Sequence, residues 1–163
     1  MKLIVQRVTS ARVAVGNSIT AEIERGLLVL VGIHKNDTET EMQWLARKLP
    51  KLRIFEDEEG KMNQSVADIG GGLLLVSQFT LYGDVRKGTR PSFISAAEPE
   101  KGEQLYDAFV AEVRRRHPGR RPEAPQYAAI RGWLQTKTLT APRLPTNVTC
   151  APTASVSGGL PAV

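Results

Sequence analysis

Two apolar runs constrain the fold of this chain more than any other feature of its sequence. The first extends from Gly26 to Ile33, and the second extends from Leu73 to Leu81 after three consecutive glycines. Each run begins with apolar residues at odd and even positions alike, which is typical of a strand covered on both faces. We therefore predict two central strands, each packed between two layers.

The other regular patterns are strand alternation and helical periodicity. Alternation predicts antiparallel neighbouring strands at residues 3–8, 11–15 and 19–23, with a turn at Gly16-Asn17. Thr38 and Glu41 form a capping-box pattern before an amphipathic helix that ends at Pro50. A second helix is predicted from Pro99 to Arg116. Short strands are predicted at residues 52–55, 126–130 and 132–134.

The net charge of +5 is concentrated in one part of the chain. Residues 117–163 contain five of the 22 basic residues and one of the 17 acidic residues, which leaves residues 1–116 at +1. Seven of the ten prolines lie there too. The composition therefore changes sharply near His117, and the charge does not by itself indicate a nucleic-acid surface on the first 116 residues.

One cysteine and two histidines are too few for a disulfide framework or a zinc site, so we expect no metal and no cofactor. The N-terminal segment alternates and does not resemble a secretory signal. The longest apolar run, Leu27–Val31, is too short to span a bilayer. We expect a soluble, cytoplasmic protein that does not associate with membranes.

The residues Ser77-Gln78-Phe79-Thr80 interrupt the second apolar run with three polar side chains. A buried polar group costs about 1–3 kcal/mol unless it is hydrogen-bonded. Two interpretations follow from the pattern alone: a strand that leaves the core here, or a binding cleft.

The loop from Gly83 to Phe93 contains three basic residues, Arg86, Lys87 and Arg90. Its glycine spacing is close to that of a phosphate-binding loop, but the lysine after the second glycine is missing, so a nucleoside-triphosphate site is excluded. The loop is either a basic surface that faces phosphate or an RNA end, or a solvated turn.

Six short segments carry a resemblance to a known family. They read VQRVT from Val5, GIHKND from Gly32, LRIFED from Leu52, GKMN from Gly60, VSQFTL from Val76 and RPSF from Arg90. In this order and spacing they resemble D-aminoacyl-tRNA deacylases over residues 1–116. The resemblance implies an α+β fold: a barrel-like, largely antiparallel β-sheet with flanking helices, in a homodimer with sites at the subunit interface.

The resemblance also implies the reaction. The substrate is aminoacyl-tRNA, and the bond broken is the ester between a D-amino acid, or glycine mischarged on tRNA(Ala), and the 3′-terminal adenosine. An activated ester needs less assistance than an amide, so a positioned water and an oxyanion site suffice without histidine. In the family, the 2′-hydroxyl of the substrate's own ribose assists the hydrolysis.

Site residues follow from the resemblance position by position. The catalytic strand corresponds to Ser77, Gln78, Phe79 and Thr80, with Gln78 and the backbone of the next two residues positioning the carbonyl. Thr80 is a nucleophile or a water-orienting group, and Phe79 packs beside the terminal adenine. Substrate-binding positions are Arg7, Met62, Arg90, Pro91 and Phe93, of which Arg7 braces the segment that excludes L-amino acids.

The chain departs from the family in the motif that excludes L-amino acids, a Gly-Pro dipeptide flanked by Asn and Val-Thr. No Gly-Pro occurs anywhere in the sequence. The candidate replacements are Ala141, Pro142, Asn147, Val148 and Thr149. We expect one deacylase domain at residues 1–149, divergent from 117 onward through true divergence or a reading-frame slip, and a flexible tail at 150–163. The alternative function is a catalytically impaired homologue of the same fold that binds tRNA ends.

Overall fold

The computed structural model describes residues 1–15, 18–117 and 127–130. In this part of the chain the elements are, in order, β1 (Lys2–Val8), β2 (Ala11–Val15), β3 (Ser18–Ile23), β4 (Gly26–Gly32), α1 (Glu39–Lys48), β5 (Arg53–Glu56), β6 (Met62–Ser65), β7 (Gly72–Ser77), α2 (Pro99–Arg116) and β8 (Tyr127–Ile130). Two 3₁₀ helices, Leu49–Lys51 and Phe79–Tyr82, follow α1 and β7. The expected α+β fold with flanking helices is confirmed.

A four-stranded sheet in the order β1-β4-β7-β8 forms the centre of the fold. β1 is antiparallel to β4, whereas β4, β7 and β8 are parallel to one another. The pairs β2-β3 and β5-β6 are antiparallel, so three of the five pairings among the described strands are antiparallel. The prediction that the first three strands are neighbours is correct for β2 and β3 and wrong for β1, which pairs with β4.

Both faces of the central strands are buried, as the two apolar runs predict. On one face, side chains from β4 and β7 pack with both helices in a cluster that includes Leu27, Val29, Leu73, Tyr106 and Phe109. On the other face, residues of alternate parity pack against the β2-β3 hairpin in a cluster that consists of Val8, Ala11, Ile23, Leu28 and Leu74. The β2-β3 hairpin is therefore not part of the central sheet; it packs over the second face of that sheet.

The second central strand is shorter than its sequence pattern predicts. β7 ends at Ser77, and the chain turns at Gln78 into the 3₁₀ helix Phe79–Tyr82, so a strand to Leu81 is wrong. The turn brings Leu81 and Tyr82 over the end of β4, where a Cβ on Gly32 would lie 3.1 Å from Leu81 Cβ and 3.2 Å from Tyr82 Cε2. The hydrophobic Leu81 is therefore in a helical turn that closes the end of the sheet.

Both helices begin where their sequences predict. The Thr38 N–H donates to the Glu41 carboxylate at 2.8 Å, and the Thr40 N–H donates to Thr38 Oγ1 at 3.3 Å, which completes the capping box. The Tyr106 hydroxyl of α2 donates to the Leu75 carbonyl at 2.8 Å and fixes the helix against β7. The strand expected at 126–130 is confirmed as β8, and residues 132–134 lie outside the described residues.

Candidate active site

The polar segment that follows β7 lies at the carboxyl ends of two parallel strands. Ser77 is buried and stands opposite Val31 of β4, and the next backbone N–H, of Gln78, donates to the Val31 carbonyl at 2.7 Å. The side chains of Gln78 and Phe79 are half-buried, and Thr80 is exposed. The strand ends therefore hold the backbone of this segment while its polar side chains remain partly accessible.

A ring contact joins this segment to the loop that follows it. The Phe79 and Phe93 rings meet edge to face, with centroids 5.2 Å apart. The Gly83 N–H donates to the Thr80 carbonyl at 3.0 Å, and a Cβ on Gly83 would approach the Phe93 ring to 3.2 Å. Glycine at this position therefore lets the aromatic pair pack against the turn.

Two residues from separate segments, Lys2 and His34, contact the 3₁₀ helix. The Lys2 ammonium lies 4.5 Å from the Tyr82 ring centroid and donates to the Leu81 carbonyl at 3.4 Å, while the His34 ring packs on Tyr82 at 5.3 Å. Burial, and secondly the charge of Asp37, raises the pKa of Tyr82 to about 12. Tyr82 is thus a neutral phenol at physiological pH, and the cation above its ring is favourable.

Arg7 and Met62 form a second group. The Arg7 guanidinium lies 3.6 Å from the Glu56 carboxylate, and Met62 pairs with Glu56 in the β5-β6 ladder. Arg7 stands opposite Leu27, four residues before Val31 on β4. Four residues of strand correspond to about 13 Å, so Arg7 is far from the Ser77 register of the same sheet.

The basic loop is a defined turn. Asp84 and Ser92 exchange two backbone hydrogen bonds of 2.9 Å, which close the loop at its base. The Arg86 Nε lies 3.0 Å from both Asp84 carboxylate oxygens, and its Nη2 lies 2.6 Å from Oδ2. These side-chain bonds, followed by the Arg86 backbone N–H, lower the pKa of Asp84 to about 2.

The Asp84 carboxylate is expected to titrate near pH 2, and to move up toward the ordinary aspartate value of about 3.9 in an Arg86→Gln variant. Because the folded-state pKa is the lower one, the pair stabilises the loop fully above about pH 4, and this contribution is lost as the pH falls toward 2. NMR titration of the side-chain carboxyl measures both midpoints. The control Arg12→Gln leaves the midpoint unchanged, and equal midpoints in wild type and Arg86→Gln would contradict the pairing.

Comparisons with known proteins agree with this architecture. The family model described as D-Tyr-tRNA(Tyr) deacylase matches residues 4–129. A D-aminoacyl-tRNA deacylase of Koribacter versatilis is 59% identical over 114 residues, which cover 70% of this chain and 76% of that protein. One of Thermotoga petrophila is 58% identical over 114 residues, with the same coverage of 70% and 76%.

The chain belongs to the D-Tyr-tRNA(Tyr) deacylase family. Among solved structures, the c-Myc DNA Unwinding Element Binding Protein is 42% identical, with a TM-score of 0.71 over 79% of this chain and 83% of that one. A probable eukaryotic D-amino acid tRNA deacylase is 23% identical, with a TM-score of 0.61 over 71% and 68%, and supports the fold alone. The family match continues past residue 116 into β8.

The structure thus places the deacylase-like residues in two groups. Ser77, Gln78, Phe79 and Thr80 adjoin the loop that carries Arg90, Pro91 and Phe93, and Arg7 and Met62 meet at Glu56. The candidates Ala141, Pro142, Asn147, Val148 and Thr149, and the tail at 150–163, lie outside the described residues.

Sequence reasoning missed the supporting residues of this deacylase fold. Lys2, His34 and Tyr82 come from three separate segments, and only the GIHKND motif, which contains His34, gave a signal. Asp37 of the same motif accepts the His34 N–H at 2.6 Å and pairs with the Met1 ammonium. The GIHKND motif therefore fixes the backbone at His34, whose ring packs on Tyr82 of the 3₁₀ helix.

Within residues 1–15, 18–117 and 127–130, no three His, Cys, Asp or Glu side chains are grouped so that they could hold a metal ion. Among the described helices of this deacylase-family chain, none is long and apolar enough to cross a membrane.

Proposed function

We propose that this chain hydrolyses D-aminoacyl-tRNA, and glycine mischarged on tRNA(Ala), to the free amino acid and tRNA. The observation that carries the proposal is the identity of 59% to a curated D-aminoacyl-tRNA deacylase over 114 residues. The family model matches residues 4–129, a range that includes all the described site residues. The position of Gln78–Thr80 at the carboxyl ends of β4 and β7 supports it, because ligands often bind outside the carboxyl ends of parallel strands.

In the proposed reaction, water attacks the ester carbonyl and the bond to the ribose oxygen breaks. The water oxygen remains on the amino acid, and its proton goes to the departing ribose oxygen. The Gln78 amide and the backbone N–H groups of Phe79 and Thr80 face the carbonyl oxygen, where negative charge develops. Ser77 anchors the strand end, Phe79 packs beside the adenine, and the neighbouring 2′-hydroxyl assists proton transfer.

The remaining residues are proposed to bind the rest of the substrate. Phe93 contacts the Phe79 ring, and Arg90 and Pro91 precede it on the same loop. Arg7 stands about 13 Å along the sheet from the Ser77 register, and this separation supports a homodimer in which one site draws on both subunits. Met62 is grouped with Arg7 through Glu56. We place the reaction in the cytoplasm, in one domain of residues 1–149 with a tail at 150–163, and the segment that excludes L-amino acids within 141–149.

We expect the purified protein to deacylate D-tyrosyl-tRNA at least about 10²-fold faster than L-tyrosyl-tRNA. Release of labelled tyrosine is measured under single-turnover conditions, with spontaneous hydrolysis subtracted. The absence of turnover with retained tRNA binding would replace the proposal by the impaired tRNA-binding homologue. Turnover with a D/L ratio near one would keep the esterase and show that residues 141–149 do not exclude L-amino acids.

Thr80→Ala is expected to lower kcat by no more than about 10-fold, because an exposed hydroxyl that orients water is partly replaced by solvent. Thr80→Ser, which keeps the hydroxyl, is the matched control and stays close to wild type. A fall of about 10³-fold or more in the alanine variant, together with a trapped acyl-enzyme, would instead assign Thr80 as a nucleophile.

A further inference from the structure

The loop from Gly83 to Phe93 presents two cations that the fold itself does not use. The Asp84-Ser92 backbone pair closes the loop, and the Gly88 N–H donates to the Val85 carbonyl at 3.3 Å. Gly88 has a φ of +133°, a conformation that favours glycine and makes the turn between Lys87 and Arg90 possible. The loop thus holds its basic side chains on a closed turn.

The charges on this loop are not balanced. Asp84 is the only acidic residue between Phe79 and Ala97, and the Arg86 guanidinium already binds it with both ends of its fork. Lys87 and Arg90 are exposed, and within the described part of the chain neither forms a hydrogen bond or ion pair. Two positive charges therefore remain available to a ligand.

The position of the loop indicates which ligand it meets. The Phe93 ring at its end packs on Phe79, so the loop that carries the two cations adjoins the segment proposed to bind the terminal adenosine. The nucleotides that precede that adenosine carry one phosphate each, and exposed Lys and Arg side chains bind such phosphates with little dependence on base identity.

We propose that Lys87 and Arg90 bind backbone phosphates of the tRNA acceptor end, next to the nucleotide that carries the ester. This inference rests on the proposed function, since it places the ester at Gln78–Thr80. The contacts contribute to affinity and register on the RNA, whereas the chemistry at the ester belongs to the neighbouring segment. Arg86 serves a different purpose, because Asp84 holds it within the loop.

The direct test is the salt dependence of binding to uncharged tRNA, which needs no turnover. Each phosphate contact that is lost makes the slope of log K against log salt shallower by about 0.7–0.9. We expect this change in Lys87→Gln and in Arg90→Gln, and about twice the change in the double variant. Lys51→Gln, an exposed lysine in the turn after α1, removes the same charge and leaves the slope at the wild-type value. Slopes in all variants equal to that of Lys51→Gln would overturn the proposal.

A second measurement separates phosphate binding from an effect on the site. D-tyrosyl-adenosine carries the ester but lacks the preceding phosphates. For Lys87→Gln, the fall in kcat/KM is expected to be at least about threefold larger on D-tyrosyl-tRNA than on this fragment. Equal falls on both substrates, or a change of oligomeric mass in sedimentation without a change of salt slope, would overturn the proposal. A wild-type protein that binds tRNA with the expected slopes but hydrolyses neither ester would overturn the proposed function instead.

Discussion

Replacing Gln78 by alanine is expected to lower kcat for D-tyrosyl-tRNA hydrolysis by about 10²- to 10³-fold, the usual cost of one side-chain donor to a developing oxyanion. Gln78 is in an extended conformation, with φ −147° and ψ 93°, between β7 and the 3₁₀ helix. Its half-buried side chain follows a backbone that the Val31 carbonyl holds at 2.7 Å. The backbone that carries the Gln78 amide is thus held in place, as a preorganised hydrogen-bond donor requires.

The variant keeps the fold because the contact with β4 is made by the backbone N–H of Gln78, which alanine retains. Single-turnover rates at saturating protein measure the chemical step, and thermal unfolding monitors stability. Gln43→Ala, on the exposed side of α1, is the matched control and stays within about twofold of the wild-type rate. A Gln78→Ala rate above about one tenth of wild type would remove Gln78 from the oxyanion role.

Local signals in the sequence were sufficient for the elements whose causes are local. The Thr38-Glu41 spacing predicted the capping box because the partners are one turn apart, and both of its bonds form. The two apolar runs predicted strands covered on both faces, and odd and even positions do pack in separate clusters. An apolar run of this kind predicts burial on both faces of a strand, but it does not predict which elements form the covering layers.

Features set by distant residues could not be predicted from the same patterns. The sequence predicts a strand as far as Leu81, but the chain turns after Ser77 because the Gln78 N–H donates to the Val31 carbonyl and the following turn packs on Gly32. The predicted partner of β1 was also wrong. The β2-β3 hairpin covers the second face of the sheet, and β4 lies beside β1 instead. No local pattern predicts the contact between Lys2 and Tyr82 either, because the two residues are far apart in the sequence.

The candidate site residues were predicted from the family resemblance, and in the structure they lie in two separate groups. Polar residues after an apolar run are equally typical of a strand that leaves the core, so the pattern alone did not distinguish that structure from a binding cleft. The contact between Phe79 and Phe93 shows that two of the six motifs meet in space. The distance of about 13 Å along the sheet between the registers of Arg7 and Ser77 is a consequence of pairing between β1 and β4.

Gly26→Ala is expected to destabilise the protein by about 3 kcal/mol, which lowers Tm by about 6–12 °C for a chain of this size. Gly26 begins β4 and stands beside Gly72 at the start of β7. A Cβ on Gly26 would collide with the Gly72 carbonyl oxygen and would lie 2.6 Å from the Gly72 nitrogen. These are backbone atoms that no rotamer change can move, so the two central strands must separate where they enter the core.

The matched control is Gly60→Ala, which tests the other cost of replacing a glycine. Gly60 has a φ of +75° in the turn between β5 and β6, and nothing lies within 4 Å of a Cβ built there. Its replacement costs about 1 kcal/mol from backbone strain alone. Chemical denaturation of the two variants compares the costs directly. If Gly26→Ala were no less stable than Gly60→Ala, the close approach of β4 and β7 would be wrong, and so would the register that sets Val31 opposite Ser77.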